Sequence, residues 1–261
     1  MILADPIFYA IAVPAVMVSG ISKGGFGGGL GIITVPLIAL VVPPAQAAAI
    51  MLPILCAIDI VGLWAYRGQG DKRNLELLLA AAALGIGIGV LTFRYLTADA
   101  LRIILGTTAI GFTLRWFWQS YWARRTGVPV VAAQRSAPRG LFWGTLSGYT
   151  SFIAHAGGPP LSVYLLPQRL DKTVFQATTV VFFAAVNYVK LLPYALLDMF
   201  PAVNLATSAM LTPAAILGTL AGIWLHKRVD DRLFYQFCYA FTLITGCKLL
   251  FDGVSGVIGG K

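Results

Sequence analysis

Apolar segments long enough to enter or cross a lipid bilayer follow one another along almost the whole chain. A spanning helix needs about 20 mostly apolar residues. Ten segments meet or approach this length: residues 7–22, 24–42, 46–66, 75–96, 100–122, 140–154, 157–167, 173–197, 203–226 and 232–252. Charged residues make up only 11% of the chain, against about 25% in soluble domains. The pattern predicts an all-α polytopic membrane protein.

The remaining composition argues against other functional classes. The net charge of +9 is spread over short joints, so there is no basic face for nucleic acid. The sequence contains no CxxC, HExxH or His/Cys cluster for a metal, and no plausible Ser/His/Asp set or carboxylate pair. We therefore expect no metal, no cofactor and no catalytic residue. A membrane-embedded enzyme and a scaffold subunit are the less favoured alternatives.

The two halves of the chain resemble each other. Residues 58–66 align with residues 186–194 at a spacing of 128, which matches Asp59 to Asn187. Two further pairs occur in the same order, namely Gly85 and Gly89 with Gly218 and Gly222, and Gly28-Gly29 with Gly157-Gly158. Internal duplication in a membrane chain is typical of transporters. We expect a first membrane repeat at 1–122, a cytoplasmic linker at 123–139 and a second membrane repeat at 140–261.

The distribution of Lys and Arg predicts how these repeats are oriented. The joints at 67–73, 123–139 and 226–232 each carry three or four such residues and 198–202 carries none, and positive joints favour the cytoplasm. Equivalent joints then lie on opposite sides, so the repeats are predicted to be inverted, with both termini outside. Arg94 and Arg102, in an outer joint, reduce the contrast.

Each repeat is predicted to be a broken or re-entrant helical hairpin followed by three transmembrane helices. The arms at 140–154 and 157–167 are short for full crossings. Whether the hairpin at 7–42 crosses fully is left open.

Six glycines in the eight residues 24–31 interrupt the first hairpin. Non-helical backbone survives in a bilayer only where protein buries it or water reaches it. A break at this depth exposes N–H groups, and the following helix directs its positive end at the break. We therefore predict an anion site at this tip, formed by Gly25, Gly27, Gly28 and Gly29, with close helix packing as the alternative.

Lys23 directly precedes this break, so its ammonium could reach an anion held there; an interfacial anchor is the alternative. Other glycines are expected to serve helix packing, namely Gly85, Gly87, Gly89, Gly218 and Gly222.

The second hairpin tip follows the same logic. Gly157 and Gly158 free the backbone, and Pro159-Pro160 suits the first turn of the next helix. His155 precedes the break, and an ionisable group inside the membrane is a functional hypothesis by default. It could bind the substrate or carry a proton, or be a buried structural histidine.

Four charged residues lie inside apolar segments. Arg115 and Lys248 are close enough to an interface to extend to it. Lys190 and Asn187 lie on one polar face of 173–197 together with Gln176, Thr179 and Phe183. Lys190 is predicted either to attract an anion or to extend to the surface. Asp59 is predicted to be a proton or cation carboxylate, or a counter-ion to Lys23 or Arg67.

Residues 25–31 followed by Thr34-Val35-Pro36, together with Gly157-Gly158-Pro159, resemble the sulfite exporter TauE/SafE family of small bacterial membrane anion transporters. The resemblance extends from about residue 8 to about 252. It implies transport of sulfur-containing oxyanions, such as sulfite and organosulfonates, across the bacterial inner membrane, with periplasmic termini. Members often carry a lysine nearer the start of the segments equivalent to 46–66 and 173–197, whereas here Lys190 comes later.

The predicted function is a secondary transporter that moves a small oxyanion by alternating access, with the lipid bilayer and the anion as its partners. Lys23, the glycines of both tips, His155, Asn187 and Lys190 are the predicted substrate-binding residues. Proton coupling through His155 or Asp59 is a further hypothesis, and a passive anion channel is the main alternative. The exact anion, the direction, the coupling ion and homo-oligomer formation are left open.

Overall fold

A computed structural model describes residues 5–92, 98–126 and 131–258, and within these ranges it contains helices and no strand. The α-helices are α1 (Pro6–Gly25), α2 (Thr34–Ile38), α3 (Pro44–Ala65), α4 (Lys72–Thr92), α5 (Ala98–Thr126), α6 (Ala137–Ala154), α7 (Gly158–Leu165), α8 (Lys172–Leu196), α9 (Ala202–Arg228) and α10 (Asp231–Ile258). The predicted all-α fold class is confirmed. Arg94, used above for orientation, lies outside the described residues.

Six of the described helices are long and apolar enough to cross a membrane, namely α1, α3, α4, α8, α9 and α10. The protein is therefore a multi-pass membrane protein. Helix α5 has 29 residues, or about 43 Å at 1.5 Å per residue, but it is more polar than the other long helices. Each half thus consists of a hairpin, α1–α2 or α6–α7, and three long helices.

The first hairpin turns at residues 26–28. Asp5 caps the start of α1 by accepting a hydrogen bond from the Ile7 amide at 2.9 Å. The helix continues through Gly25, and Gly27 and Gly28 then take φ values of 67° and 74°, which glycine adopts without strain. The break therefore begins two residues later than predicted.

The return arm of this hairpin is short. It consists of a 3₁₀ helix (Gly29–Ile33) and α2, which has 5 residues. These helical residues extend about 17 Å, well below the roughly 30 Å of a hydrocarbon core. The helical part of the return arm is thus too short to cross a membrane by itself.

The second hairpin turns at residues 155–157. Helix α6 has 18 residues and ends at Ala154, and His155, which follows it, takes a left-handed conformation with a φ of 50°. Helix α7 has 8 residues and continues into a 3₁₀ turn (Leu166–Gln168). The second arm is as short as predicted, whereas α6 is three residues longer than the predicted arm at 140–154 and reaches the lower limit for a spanning helix.

The same hydrogen bond closes both hairpins at a spacing of 128 residues. The Tyr66 hydroxyl donates to the Gly24 carbonyl at 2.6 Å, and the Tyr194 hydroxyl donates to the Phe152 carbonyl at 3.1 Å. Each tyrosine therefore fixes the last turn of the first helix of its own half.

The two tips also share their backbone geometry. The Gly28 amide donates to the Ser22 carbonyl at 3.0 Å, and the Ala156 amide donates to the Thr150 carbonyl at 3.1 Å. Left-handed residues precede these amides at Gly27 and His155. This geometry pairs Gly28-Gly29 with Ala156-Gly157, so the sequence match to Gly157-Gly158 is wrong by one residue.

The two halves interlock through their first and fourth helices. Helix α1 packs along α9, and α6 packs along α4, while α3 contacts α8 and α5 contacts α10. A Cβ atom added to Gly24 would meet the Thr219 backbone, and one added to Gly148 would meet the Ala82 backbone. Such close approach is available to small residues only.

Most of the glycines assigned to packing do pack. Added Cβ atoms at Gly85, Gly89, Gly218 and Gly222 would all meet atoms of α6 or α1 at 3.0 Å or less. The prediction is wrong for Gly87, since nothing among the described residues lies within 4 Å of its Cβ position.

Helix α4 therefore offers a matched pair of substitutions. At Gly85 an added Cβ would lie 2.7 Å from the Tyr149 amide nitrogen, whereas at Gly87 it would lie in open space. Gly85→Val should destabilise the protein by about 1–3 kcal/mol, and Gly87→Val should have little effect. Because both positions are in one helix, the intrinsic helix propensity of valine acts equally on both.

Thermal unfolding in detergent, followed by circular dichroism, compares the two variants. Equal unfolding temperatures would show that α4 and α6 do not make this contact.

Candidate functional site

A small cavity lies where the two hairpin tips meet. The Cβ position of Gly158 is 3.6 Å from the Gly28 carbonyl oxygen, so the tips are in contact. The cavity offers about 40 Å³ to the centre of a water-sized sphere, several times the roughly 10–15 Å³ that one water requires. Its polar lining comes from α1, α6, α8 and the second tip: Ser19, Lys23, Ser151, His155 and Asn187.

A buried ion pair forms one wall of this site. The Lys23 ammonium donates to Asp59 Oδ1, and Asn187 Nδ2 donates to Asp59 Oδ2 at 2.7 Å. Asp59 is 2% exposed and Lys23 is 9% exposed. Three helices, α1, α3 and α8, are tied together here. Of the two interpretations of Asp59, its role as counter-ion to Lys23 is confirmed.

Lys190 lies behind the second tip and is fully buried. Its ammonium donates to the carbonyl and hydroxyl oxygens of Ser151, both at 3.1 Å, and lies 3.2 Å from His155 Nδ1. Three acceptors thus match the three donors of a protonated lysine. The alternative in which Lys190 extends to the surface is wrong.

His155 connects this lysine to Tyr194. The second ring nitrogen, Nε2, lies 3.4 Å from the Tyr194 hydroxyl, which in turn donates to the Phe152 carbonyl. These hydrogen bonds are mutually compatible if Nδ1 accepts from Lys190 and Nε2 carries the hydrogen, which it donates to the Tyr194 hydroxyl. A neutral imidazole therefore satisfies every partner in this chain.

One of the two lysines at the tips has a carboxylate partner, and the other does not, among the described residues. Asp59 pairs with Lys23, and no carboxylate pairs with Lys190 in the described ranges. With both ammonium groups charged, Lys190 behind the second tip leaves an excess positive charge beside the cavity. Helix α7 adds to it, because its first residue, Gly158, lines the cavity and helix N-termini are positive.

The first tip offers fewer backbone amides than predicted. The amide of Gly27 donates to Gln176 Oε1 at 2.6 Å, and those of Phe26 and Gly28 donate to the Ser22 carbonyl. The prediction of unbonded amides is therefore wrong for these three residues. Gln176 also donates through Nε2 to the Lys23 carbonyl at 2.6 Å, so its side chain holds the tip in place.

The predicted site residues fall into two groups. Five of them line the cavity: Lys23, Gly28, His155, Gly158 and Asn187. The others support it from outside. Gly25 packs on the Gly222 backbone, Gly27 on Phe175, Gly29 on Phe241 and Gly157 on Ser147, and Lys190 binds the second tip from behind.

Sequence reasoning missed three residues at this site. Gln176 had been placed on the polar face of α8 without a role. Ser151 and Ser19 each precede a predicted residue, His155 or Lys23, by four positions and so share its helix face. That spacing is the signal that could have identified them.

A comparison with protein families identifies the family of this chain. A family description for sulfite exporters, "Sulfite exporter TauE/SafE", matches residues 12–249. The chain belongs to the sulfite exporter TauE/SafE family. No curated protein and no solved structure matches it.

The TauE/SafE match spans both hairpin tips and reaches into α10, so the resemblance predicted from the glycine motifs is confirmed. TauE/SafE proteins are transporters, and a cavity with excess positive charge beside it inside a membrane protein is suited to an anionic substrate.

The ion pair between Lys23 and Asp59 can be tested through stability. Asp59→Asn leaves the Lys23 charge buried without its counter-ion, which should cost about 3–5 kcal/mol and lower the unfolding temperature in detergent by roughly 6 °C or more. The double variant Lys23→Met/Asp59→Asn should regain most of this loss, because no unpaired charge remains.

A matched control is Asp252→Asn, which breaks the more exposed pair of Lys248 and Asp252 and should cost about 0.5 kcal/mol or less. A double variant no more stable than Asp59→Asn would contradict the counter-ion role.

Proposed function

We propose that this protein is a secondary transporter that carries a small sulfur-containing oxyanion, of the sulfite or organosulfonate class, across the bacterial inner membrane. The observation that carries this proposal is the cavity between the tips, with Lys23 in its lining and Lys190 behind the second tip; among the described residues, Asp59 is the one carboxylate paired with either lysine. Membership in the TauE/SafE family supports the substrate class.

The charge balance favours an anion over other substrates. A lysine charge in the hydrocarbon region costs about 2.5–3.5 kcal/mol even on moderate scales. At an effective dielectric constant near 20, a negative charge returns roughly 4 kcal/mol at about 4 Å and less at larger separations. A bound anion therefore offsets part of the cost of Lys190. A neutral substrate would leave that cost in place, and a cation would increase it.

Each site residue has a distinct proposed role. Lys23, Asn187 and His155 contact the anion from opposite walls, with the backbone of Gly28 and Gly158 between them. Lys190 supplies charge from behind the second tip. Gly25, Gly27, Gly29 and Gly157 let the tips pack closely enough to form the cavity.

Alternating access is the proposed transport mechanism. The repeats are proposed to be inverted, which the charges in joint 67–73 and their absence from joint 198–202 support. In an inverted pair, motion of one bundle against the other opens a central site to each side in turn. Both termini would then be periplasmic.

Lys190 provides the direct test of anion binding. Thermal-shift titrations of the purified protein with sulfite, sulfate, thiosulfate, sulfoacetate and taurine should identify anions that stabilise it. Lys190→Gln keeps hydrogen-bond donors but removes the charge, so the dissociation constant should rise about tenfold or more, equivalent to at least about 1.4 kcal/mol.

Lys248→Gln is the matched control, since Lys248 is partly exposed and pairs with Asp252. It should bind like the wild type. Lys23→Ala should also weaken binding. Wild-type protein that none of these anions stabilises would contradict the proposal.

Coupling is tested in vesicles with reconstituted protein. If His155 or Asp59 carries a coupling proton, an imposed pH gradient should change the rate of sulfite flux. A flux rate that is independent of the pH gradient would rule out proton coupling. Flux far above transporter rates, without counter-transport, would instead favour a passive anion channel.

A further inference from the structure

The hydroxyl of Ser19 stands out from the other buried polar groups. Among the described residues, Ser19 Oγ is the one buried side-chain oxygen or nitrogen that has no hydrogen-bond partner. Ser19 is 0% exposed and lines the cavity between the tips. Buried polar groups without a partner are rare and costly, at about 1–3 kcal/mol, so this hydroxyl calls for an explanation.

The equivalent serine in the second half does have a partner. Ser147 lies 128 residues after Ser19, the spacing at which both hairpins repeat their hydrogen bonds. Its hydroxyl donates to the Gly157 carbonyl at 2.7 Å and so holds the second tip against α6. The same bond in the first half would join Ser19 to the Gly29 carbonyl.

In the first half, two threonines occupy the acceptors that Ser19 would use. Thr245 of α10 donates to the Gly29 carbonyl at 2.8 Å. The Ala15 carbonyl, which lies one helical turn before Ser19, accepts from Thr34 at 3.2 Å. Near the second tip, Leu105 of α5 clusters with Ala156. The first tip is therefore held without Ser19.

Ser19 and Lys23 face the cavity together. They are four residues apart on α1 and thus share one helix face. The Cβ position of Gly31, another residue of the cavity lining, is 3.5 Å from Ser19 Oγ. The Ser19 side chain therefore belongs to the cavity lining, one helical turn from Lys23.

We propose that Ser19 is a specificity-determining residue whose hydroxyl donates a hydrogen bond to an oxygen of the bound oxyanion; this rests on the proposed function. Lys23 supplies charge and Ser19 supplies a directed donor, which an oxyanion can accept with a second oxygen. A donor bonded to a charged acceptor is stronger than one between neutral groups.

Ser19→Ala tests this proposal, with Ser147→Ala as its matched control. Each variant removes one buried hydroxyl from the first helix of its half. Without ligand, Ser19→Ala should keep or raise the unfolding temperature because it removes an unpaired polar group, whereas Ser147→Ala should lower it. In titrations with sulfite and sulfoacetate, Ser19→Ala should raise the dissociation constant about tenfold or more.

Three results would overturn the proposal. The first is that Ser19→Ala binds both anions as tightly as wild type. The second is that it loses as much stability as Ser147→Ala, which would indicate a structural bond. Wild-type protein that binds neither anion would remove the proposed function, and this inference with it. If Ser19→Ala does not fold, Ser19→Cys keeps the volume with a weaker donor and should likewise weaken binding several-fold.

Discussion

The pairing of Lys23 with Asp59, braced by Asn187, is the interaction on which the rest of the site depends. An unpaired charge buried inside the membrane would destabilise the fold. The Lys23 ammonium is therefore paired with the Asp59 carboxylate, and the Asn187 amide hydrogen-bonds that carboxylate. Their meeting point fixes α1, α3 and α8 relative to one another. The first tip is thereby held against the second, and the cavity forms between them.

Glycine makes this convergence sterically feasible. Gly24 and Gly25 let α1 approach the backbone of α9, while Gly27 and Gly28 let the chain reverse. Because each half contributes its first helix to the other half, the two tips are placed by the opposite repeat. This exchange of first helices keeps the two tips in contact, and each half still has its own three long helices.

The asymmetry between the halves carries the chemistry. The hairpins share their closing tyrosine and their backbone turn. However, Lys23 is matched by Ser151 and Asp59 by Asn187. Ser19, which has no hydrogen-bond partner among the described residues, is matched by Ser147, which bonds the Gly157 carbonyl. The two hairpins share a common geometry, and differences at equivalent positions give one tip the ion pair and the other the lysine and histidine.

The sequence by itself determined the membrane class, the helices, the two breaks and the family, because all of these follow from local composition and short motifs. It placed Lys23, Asp59, Asn187 and Lys190 near the tips but left their partners open. Only the tertiary structure decided that Asp59 pairs with Lys23, that Lys190 stays buried, and that Gln176 accepts from the Gly27 amide of the first tip. Those outcomes depend on contacts between residues up to 153 positions apart, where hydrogen-bond geometry and desolvation select one partner among several, and no local pattern encodes that selection.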